Sequence, residues 1–428
     1  MHKRQIFILG GGISGLSLAY FLSHKSDLFE LHLIEKSSNL GGWAGSDDSS
    51  GYFFEKGPRL FRTSTSSALL DLINALSMEE ELIFAQRQPR YLLKNGKLKR
   101  IPSLSWELVK AAFKEWQVKP YLEDESVFDF ACRRFNVKVA HEIFDPMVRG
   151  IFGGKMQEIS MKSGLPRLKA LEMEYGSVIK GFLKAPRTTG SSLFSFRRGV
   201  QSFIRRLEAS LSAKVHFSEE VLAIMPKPDG FSIKTTQNCY HADDLFSALP
   251  CHSIGKLLIP QLLAFPLKGT TLVQMGFSES VLKKRGFGYL TSSQGNEEVM
   301  GCIFDSEVFP EQNRHALETR LTFMLENETL KEEEARRIAH KALKTHLHIH
   351  KLPDVSHVFS APKVFPQYRV GHEALIADLE TMVAAKYPRL KLLGNYLKGP
   401  SLSDCIAKAK AVAEEFLEQK LIVTAPLS

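Results

Sequence analysis

The division between apolar and polar positions is sharpest at the start of the chain. An uninterrupted apolar run, Ile6-Phe7-Ile8-Leu9, meets Gly10-Gly11-Gly12-Ile13-Ser14-Gly15, and a second run, Leu31-His32-Leu33-Ile34, ends at Glu35. Short apolar runs bounded by turn residues read as strands buried on both faces, and the longer uncharged stretch between them has helix length. The pattern therefore predicts strand, tight turn, helix, second parallel strand and an acidic end. Gly10 permits the turn, Gly12 (with Gly11 beside it) lets backbone N–H groups approach a pyrophosphate, and Gly15 lets helix and strand pack closely. The helix opening at Ile13 and Ser14 points free N–H donors and the positive end of its dipole at that phosphate. Glu35, followed by Lys36, lies about 20 residues beyond the last glycine, where a carboxylate accepts hydrogen bonds from a ribose. These residues imply a cofactor carrying ADP and fit NAD as well as FAD.

The same uncharged run from Gln5 to Ser23, preceded by Met1-His2-Lys3-Arg4, has the outline of a secretory signal or a membrane span. Its central glycines, the lack of a small-residue cleavage pattern and the charged continuation after His24 argue against both. A buried parallel strand and the inward side of its crossover helix explain it better.

Further along, Leu40-Gly41-Gly42-Trp43 and a polar loop at Ser46–Ser50 lead to Tyr52-Phe53-Phe54-Glu55-Lys56-Gly57-Pro58-Arg59. From about 86 to 190 the pattern turns mostly helical, with amphipathic segments at Trp106–Trp116 and Val127–Phe135 and a turn-rich stretch at Gly150–Gly164. Ser195–Gln201 opens another helix. Short strands are expected at Lys214–Phe217, Phe231–Lys234 and Leu245–Ala248, then a strand-rich section at Thr271–Met324. The Glu- and Arg-dense segment Glu326–His340 reads as an exposed helix. An apolar strand at Leu390–Leu393 and a helix from Ser403 to about Lys420 close the chain.

Composition narrows the picture in three places. The chain has 428 residues, 44% apolar and 24% charged, which is ordinary for a globular protein of two or three domains. Five scattered cysteines (Cys132, Cys239, Cys251, Cys302, Cys405) without a CxxC pair suggest neither a disulfide frame nor a zinc site, and fit a reducing, cytosolic setting. His346, His348 and His350 do not share one helical face and no carboxylate joins them, so no metal is expected. The formal charge of +9 is uneven, because Arg87–Arg198 alone holds 22 Lys and Arg against 11 Asp and Glu. That excess suits an anionic substrate, an anionic membrane surface or merely a solvated basic face; no nucleic-acid motif accompanies it. Trp106, Phe113 and Trp116 with Lys110 and Lys114 fit an interfacial helix or ordinary core packing.

Taken together, GGGISGLSLAYFL, LGGW at 40–43, FEKGPR at 54–59, PMVRGIFGGKMQEIS at 146–160, YGSVIKG at 175–181, SFRRGVQSF at 195–203, GFGYL at 286–290, FPQYRVGH at 365–372 and LGNYLKGPSLSDC at 393–405 resemble the oxygen-dependent protoporphyrinogen oxidases. The first and last motifs are shared with the wider amine-oxidase-like flavoprotein superfamily. The resemblance implies an α/β (α+β overall) fold: a Rossmann-like FAD-binding domain from 1–85, 200–255 and 385–428, a mostly helical, basic insertion at 86–195, and a substrate-binding β-sheet region at 256–384. It makes the cofactor FAD. Gly42 and Trp43, with Gly57, Pro58, Arg59 and Leu60, are then expected along the ribityl chain and isoalloxazine, and Val221 at the adenine. Asn395, Pro400, Ser401 and Leu402 form the closing loop, ahead of a helix N-terminus at Ser403 facing the flavin.

The implied activity is oxidation of protoporphyrinogen IX to protoporphyrin IX in haem biosynthesis, by hydride transfer to FAD with dioxygen as acceptor. Proximity and orientation dominate such a transfer, so no catalytic acid or base is expected. By the resemblance Arg90 binds a propionate, Leu290, Ile303 and Met324 sandwich the macrocycle, and the backbone at Gly150 and Gly154 approaches it. Lys155 stands where many relatives carry an aspartate. Coproporphyrinogen III oxidation to coproporphyrin III is the nearest alternative; another oxidase or desaturase of the superfamily, or a non-catalytic GDI-like binding protein, is more distant. An anionic membrane surface, a ferrochelatase and a second copy of the chain remain open as partners, with a cytoplasmic location, free or peripheral on the membrane.

Overall fold

The computed structural model describes residues 3–24, 28–48, 50–101, 106–184, 191–295 and 297–424. The first strand, Arg4–Leu9, shows why an all-apolar run was needed. Ile6 and Ile8 enter one hydrophobic core while Phe7 and Leu9 enter another on the opposite face. The strand is central in a five-stranded parallel sheet ordered Lys214–His216, Phe29–Ile34, Arg4–Leu9, Asp244–Ser247, Leu390–Leu392. The fold is thus α/β, with its dinucleotide-binding sheet assembled from distant segments.

One face of this sheet carries the helices Ile13–Ser23, Ser67–Ala75, Val200–Glu208 and Leu402–Thr424. The opening helix is held between sheet and C-terminal helix and buries Leu16, Leu18, Ala19 and Leu22 completely, which accounts for its lack of charge. The other face is covered by an antiparallel sheet of Val221–Lys227, Gly230–Thr235 and Cys239–Ala242 and by the helices Cys251–Leu257 and His372–Lys386.

A second sheet of seven strands is ordered Val355–Pro366, Leu267–Phe277, Thr319–Leu325, Val299–Ile303, Gly288–Thr291, Arg90–Lys94, Lys97–Ile101. The hairpin 90–101, grouped by sequence pattern with the helical stretch 86–195, belongs to this sheet instead. Its first strand pairs in parallel with Gly288–Thr291. The edge strand KLKRI is charged and exposed, as unpaired edges tend to be, and so gave little apolar signal. Behind the sheet packs Glu332–Leu347, whose Ala335, Ile338, Ala339, Ala342 and Leu343 are buried. The segment expected as an exposed helix is therefore exposed on one side only. His346 lies on that helix, buried, with Nδ1 at 2.8 Å from the Tyr289 hydroxyl; His348 is the left-handed cap that ends it.

The helical region 106–184 has its own core, built around Val127, Phe130, Phe144, Val148, Phe152 and Met161. Beside it lies a buried ionic cluster. Arg134 is fully buried and reaches Glu115 at 3.1 Å and Glu172 at 2.7 Å, and Lys169 and Arg133 also bind Glu172, both at 2.8 Å. Gly150 lies within the helix Asp145–Phe152 rather than in a turn.

No described helix is long and apolar enough to cross a membrane. Past the end of the helix Trp106–Glu115, Trp116 is half-exposed under the Lys180 ammonium (5.9 Å to the ring centre), and Phe113 is exposed. The Trp106 side chain lies outside the described residues.

Removing one member of a buried ion cluster leaves its partners uncompensated, at a cost of about 3–5 kcal/mol. Arg134→Met should lower stability by that amount in urea unfolding, and Arg134→Lys should recover part of it. A variant as stable as the parent would show that the cluster is solvated.

Candidate functional site: a dinucleotide cradle over an apolar sheet face

The glycine turn is shaped by contacts on two sides and open on the third. Gly10 has φ +94° and donates its N–H to Ile34 O at 2.8 Å. A Cβ on Gly15 would stand 1.9 Å from Gly10 O, so the helix touches the strand there; one on Gly11 would strike Leu40 Cδ2 at 2.3 Å. A Cβ on Gly12 would meet nothing within 4 Å. That open side lies at the start of Ile13–Ser23, whose first turn has no side-chain cap and no acidic residue. This is the arrangement a pyrophosphate needs.

Glu35 is buried at the edge of the cradle, where its Oε2 accepts the Gly11 N–H at 2.7 Å and its Oε1 the Ser37 N–H at 2.8 Å. Both oxygens keep further acceptor capacity. The backbone of Glu35 bonds His216 O and the Glu219 N–H, which brings the start of Val221–Lys227, and so Val221, to the same edge. Lys36 is exposed beside it.

The Leu40–Trp43 loop crosses the turn: Gly41 N–H donates to Gly11 O at 2.8 Å, and Gly42, with φ +60°, lies against Gly12. Trp43 is 40% exposed and meets Phe359 of the large sheet edge-on at 6.0 Å. Gly57 is required because a Cβ there would stand 1.9 Å from Trp43 O.

At the C-terminal end the last helix begins at Leu402, one residue before the expected Ser403. Ser401 caps it: its Oγ accepts the Asp404 N–H at 3.1 Å and donates to the Asp404 carboxylate at 2.5 Å. Asn395 is tied in place through its carbonyl, which accepts the Tyr368 hydroxyl, and its carboxamide, which donates to Val364 O at 3.0 Å. Pro400, between Gly399 and Ser401, completes the exposed turn.

The large sheet turns one face toward these loops. Strand register puts Arg90, Leu92, Gly288, Leu290, Gly301, Ile303, Thr322, Met324, Leu272 and Gln274 on that face. Leu290, Ile303 and Met324 are each half-buried, and Gly301 separates Leu290 from Met324. From above, Gly150 meets Leu290; a Cβ there would come within 2.8 Å of Leu290 Cδ2. Five of the six expected substrate residues thus share one apolar face, counting Arg90 at its rim. Gly154 is apart from them: where its Cβ would lie, the Gln367 carboxamide oxygen stands 2.0 Å away, so this glycine serves packing on that side.

Arg90 is exposed, with its guanidinium 4.6 Å from the centre of the Phe287 ring. Partial burial, and then the like charge of Arg62, make it less basic than an ordinary arginine. Arg59, by contrast, is 10% exposed and held by three hydrogen bonds. Its Nη1 donates to Asp305 at 3.0 Å and Thr322 at 2.7 Å, and its Nη2 donates to Glu55 O at 3.0 Å. It therefore acts as a clasp between cradle and sheet. Beside it Leu60 packs with Ile83, Val308 and Phe309.

Glu55 is a participant the sequence reading missed, although it stands inside the FEKGPR motif. Its Oε1 accepts the Val200 N–H at 3.0 Å and its Oε2 the Ser46 hydroxyl at 2.6 Å, which caps the helix Val200–Glu208 from a distance. Burial raises its pKa from 4.5 to about 7 against those two hydrogen bonds and Arg59. A cavity of about 10 Å³, room for a single water, lies between Glu55, Arg59, Asp305, Arg320 and Ile303.

Comparison with known proteins agrees with this geometry. The family described as flavin containing amine oxidoreductase matches residues 13–417. The protoporphyrinogen oxidase of Bos taurus is 28% identical over 97% of this chain and 98% of its own length. The coproporphyrinogen III oxidase of Bacillus subtilis (strain 168) is 24% identical over 97% and 98%. A crystal structure of a presumed protoporphyrinogen oxidase from Exiguobacterium sp. 255-15 superposes with a TM-score of 0.88 at 23% identity, covering 97% of this chain and 99% of that one.

The raised pKa of Glu55 has a consequence for stability. The folded state holds this proton more tightly than the unfolded one, so the contribution of Glu55 to stability is greatest below about pH 4.5, falls as pH rises to about 7, and is level above. Glu55→Gln should flatten that slope, which amounts to about 3 kcal/mol at most. Urea midpoints of both proteins at about pH 5 and about pH 8 check it; equal pH dependence would refute the assignment.

Proposed function

The chain belongs to the flavin containing amine oxidoreductase family, with FAD as its cofactor, and from that premise we propose that it oxidises a porphyrinogen. The observation that carries the reading is the half-buried apolar face of Leu290, Ile303 and Met324, turned toward the cofactor cradle and ended by an arginine without a carboxylate partner among the described residues. The long-range likeness to protoporphyrinogen and coproporphyrinogen III oxidases supports it.

Bound FAD supplies a two-electron acceptor for hydride. The protein's own part is to bind, orient and dry the substrate. The open side of Gly12 and the uncapped helix behind it hold the pyrophosphate, Glu35 the ribose, and Val221 borders the adenine. Trp43, Gly57, Pro58, Arg59 and Leu60 border the ring end, with Asn395, Pro400, Ser401 and Leu402 closing the other side. Leu290, Ile303 and Met324 would lie against the macrocycle, and the missing side chain of Gly150 lets its helix pack directly onto Leu290. Water is excluded along this face, and Arg90 anchors a carboxylate at its rim. Removal of six electrons and six hydrogens from a porphyrinogen then takes three rounds of hydride and proton loss, with dioxygen as terminal acceptor. The match along nearly the whole length of the Bacillus subtilis relative, at 24% identity, keeps the tetracarboxylate coproporphyrinogen III as second reading to the dicarboxylate protoporphyrinogen IX.

Anaerobic mixing of the yellow holoenzyme with each porphyrinogen separates the readings: the true substrate bleaches the flavin band. If neither does, the assignment fails. Arg90→Ala should retain FAD but weaken substrate binding by roughly 1.5–3 kcal/mol, tenfold or more in KM. Unchanged kinetics would remove Arg90 from the site.

A further inference from the structure

Arg90 does not stand alone at the rim. In the extended segment Leu60-Phe61-Arg62 successive side chains face opposite ways. Phe61 is buried in the core of the cofactor half. Leu60 points the other way, into the cluster of Ile83, Val308 and Phe309 that Phe287 and Ile303 also join. Arg62 follows Leu60, and its backbone is extended and paired with Leu193. Phe287 is the ring under the Arg90 guanidinium, at 4.6 Å. The two arginines are therefore carried by different sheets to the same end of the apolar face.

Among the described residues neither has an ion-pair partner, whereas the neighbouring Arg59 is neutralised by Asp305. Their mutual repulsion is felt at Arg90. Two cations at one rim without a counter-ion among the described residues are an arrangement that an arriving dianion relieves.

We propose that Arg62 and Arg90 form a two-point clamp for a pair of carboxylates on adjacent arms of the substrate, with Arg62 as a second specificity-determining residue. The clamp rests on the porphyrinogen reading and refines it. It sets which edge of the macrocycle enters beside Phe287, and so which bridging carbon is presented to the cofactor. A substrate with carboxylates on neighbouring arms fills both points; one with a single carboxylate leaves a cation unpaired. The clamp requires no charge change during the reaction and acts by binding and orientation alone.

The test uses FAD-loaded protein and mesoporphyrin IX, a dicarboxylate that cannot be oxidised further, against its dimethyl ester, followed by fluorescence titration. Wild type should bind the diacid more tightly than the ester. Arg62→Gln, with FAD content unchanged, should weaken the diacid about tenfold, as loss of one charge-assisted contact does, and leave the ester nearly unaffected. Arg62→Lys, which keeps charge and stem, should bind the diacid more tightly than Arg62→Gln. Equal affinity of wild type and Arg62→Gln for the diacid would overturn the clamp. So would equal losses in the Lys and Gln variants, which would mark a structural effect. Wild type that binds neither porphyrin but still oxidises an amine would instead overturn the porphyrinogen reading, and the clamp with it.

Discussion

The site depends on one buried cation. Arg59 leaves the cofactor half two residues after Gly57 and ends between Asp305 and Thr322 on the large sheet, while its other nitrogen holds Glu55 O. Two more side chains of the sheet half fasten the same short segment: Gln274 donates to Glu55 O at 2.7 Å, and Arg320 donates to Phe53 O at 2.7 Å. The separation between cradle and apolar face is therefore set by hydrogen bonds to backbone carbonyls, not by side-chain packing alone. Such an ion pair need not add net stability over an apolar replacement. Its effect is registration, because a guanidinium with this many fixed partners has one position.

Local chemistry was legible and long-range chemistry was not. The strand segment Ile6–Leu9 could be read because burial on both faces demands an apolar residue at every position, and Gly15 because only a hydrogen fits against Gly10 O. The closing loop and the apolar trio Leu290, Ile303 and Met324 came through a resemblance, since half-buried aliphatic residues carry no sign of what they face. The side-chain partners of Arg59, Asp305 and Thr322, lie more than two hundred residues away in sequence, and no spacing rule connects them. Glu55 was hidden for a different reason: a helix is normally capped by its own preceding residue, yet Val200–Glu208 begins after Gly199 and takes its cap from Glu55. The hairpin 90–101 was misplaced because an exposed edge strand shows charge where an inner strand shows hydrophobicity.

The chemistry proposed for the site asks for little that a side chain can do. Hydride transfer from a bridging carbon to a flavin needs contact, alignment and the exclusion of water. The described residues supply this largely through what they lack: no side chain on Gly12, where the cradle is open, and no charge on Leu290, Ile303 or Met324.

The placement of charge follows from the same requirement. A cation inside the wall is costly to bury unless it is neutralised, and Arg59 is, by Asp305 at 3.0 Å. A cation at the rim faces the opposite constraint. Had Arg90 been given a protein carboxylate, it would have been satisfied without substrate and could offer only an exchange of partners. Left over the Phe287 ring, it keeps a weak, non-competing neighbour whose face favours a cation without occupying its N–H donors. Its N–H donors are left without a carboxylate partner among the described residues. On the proposed porphyrinogen reading, neutralised charge within and unsatisfied charge at the edge would draw an amphiphilic macrocycle in by its body and fix its direction by its acids.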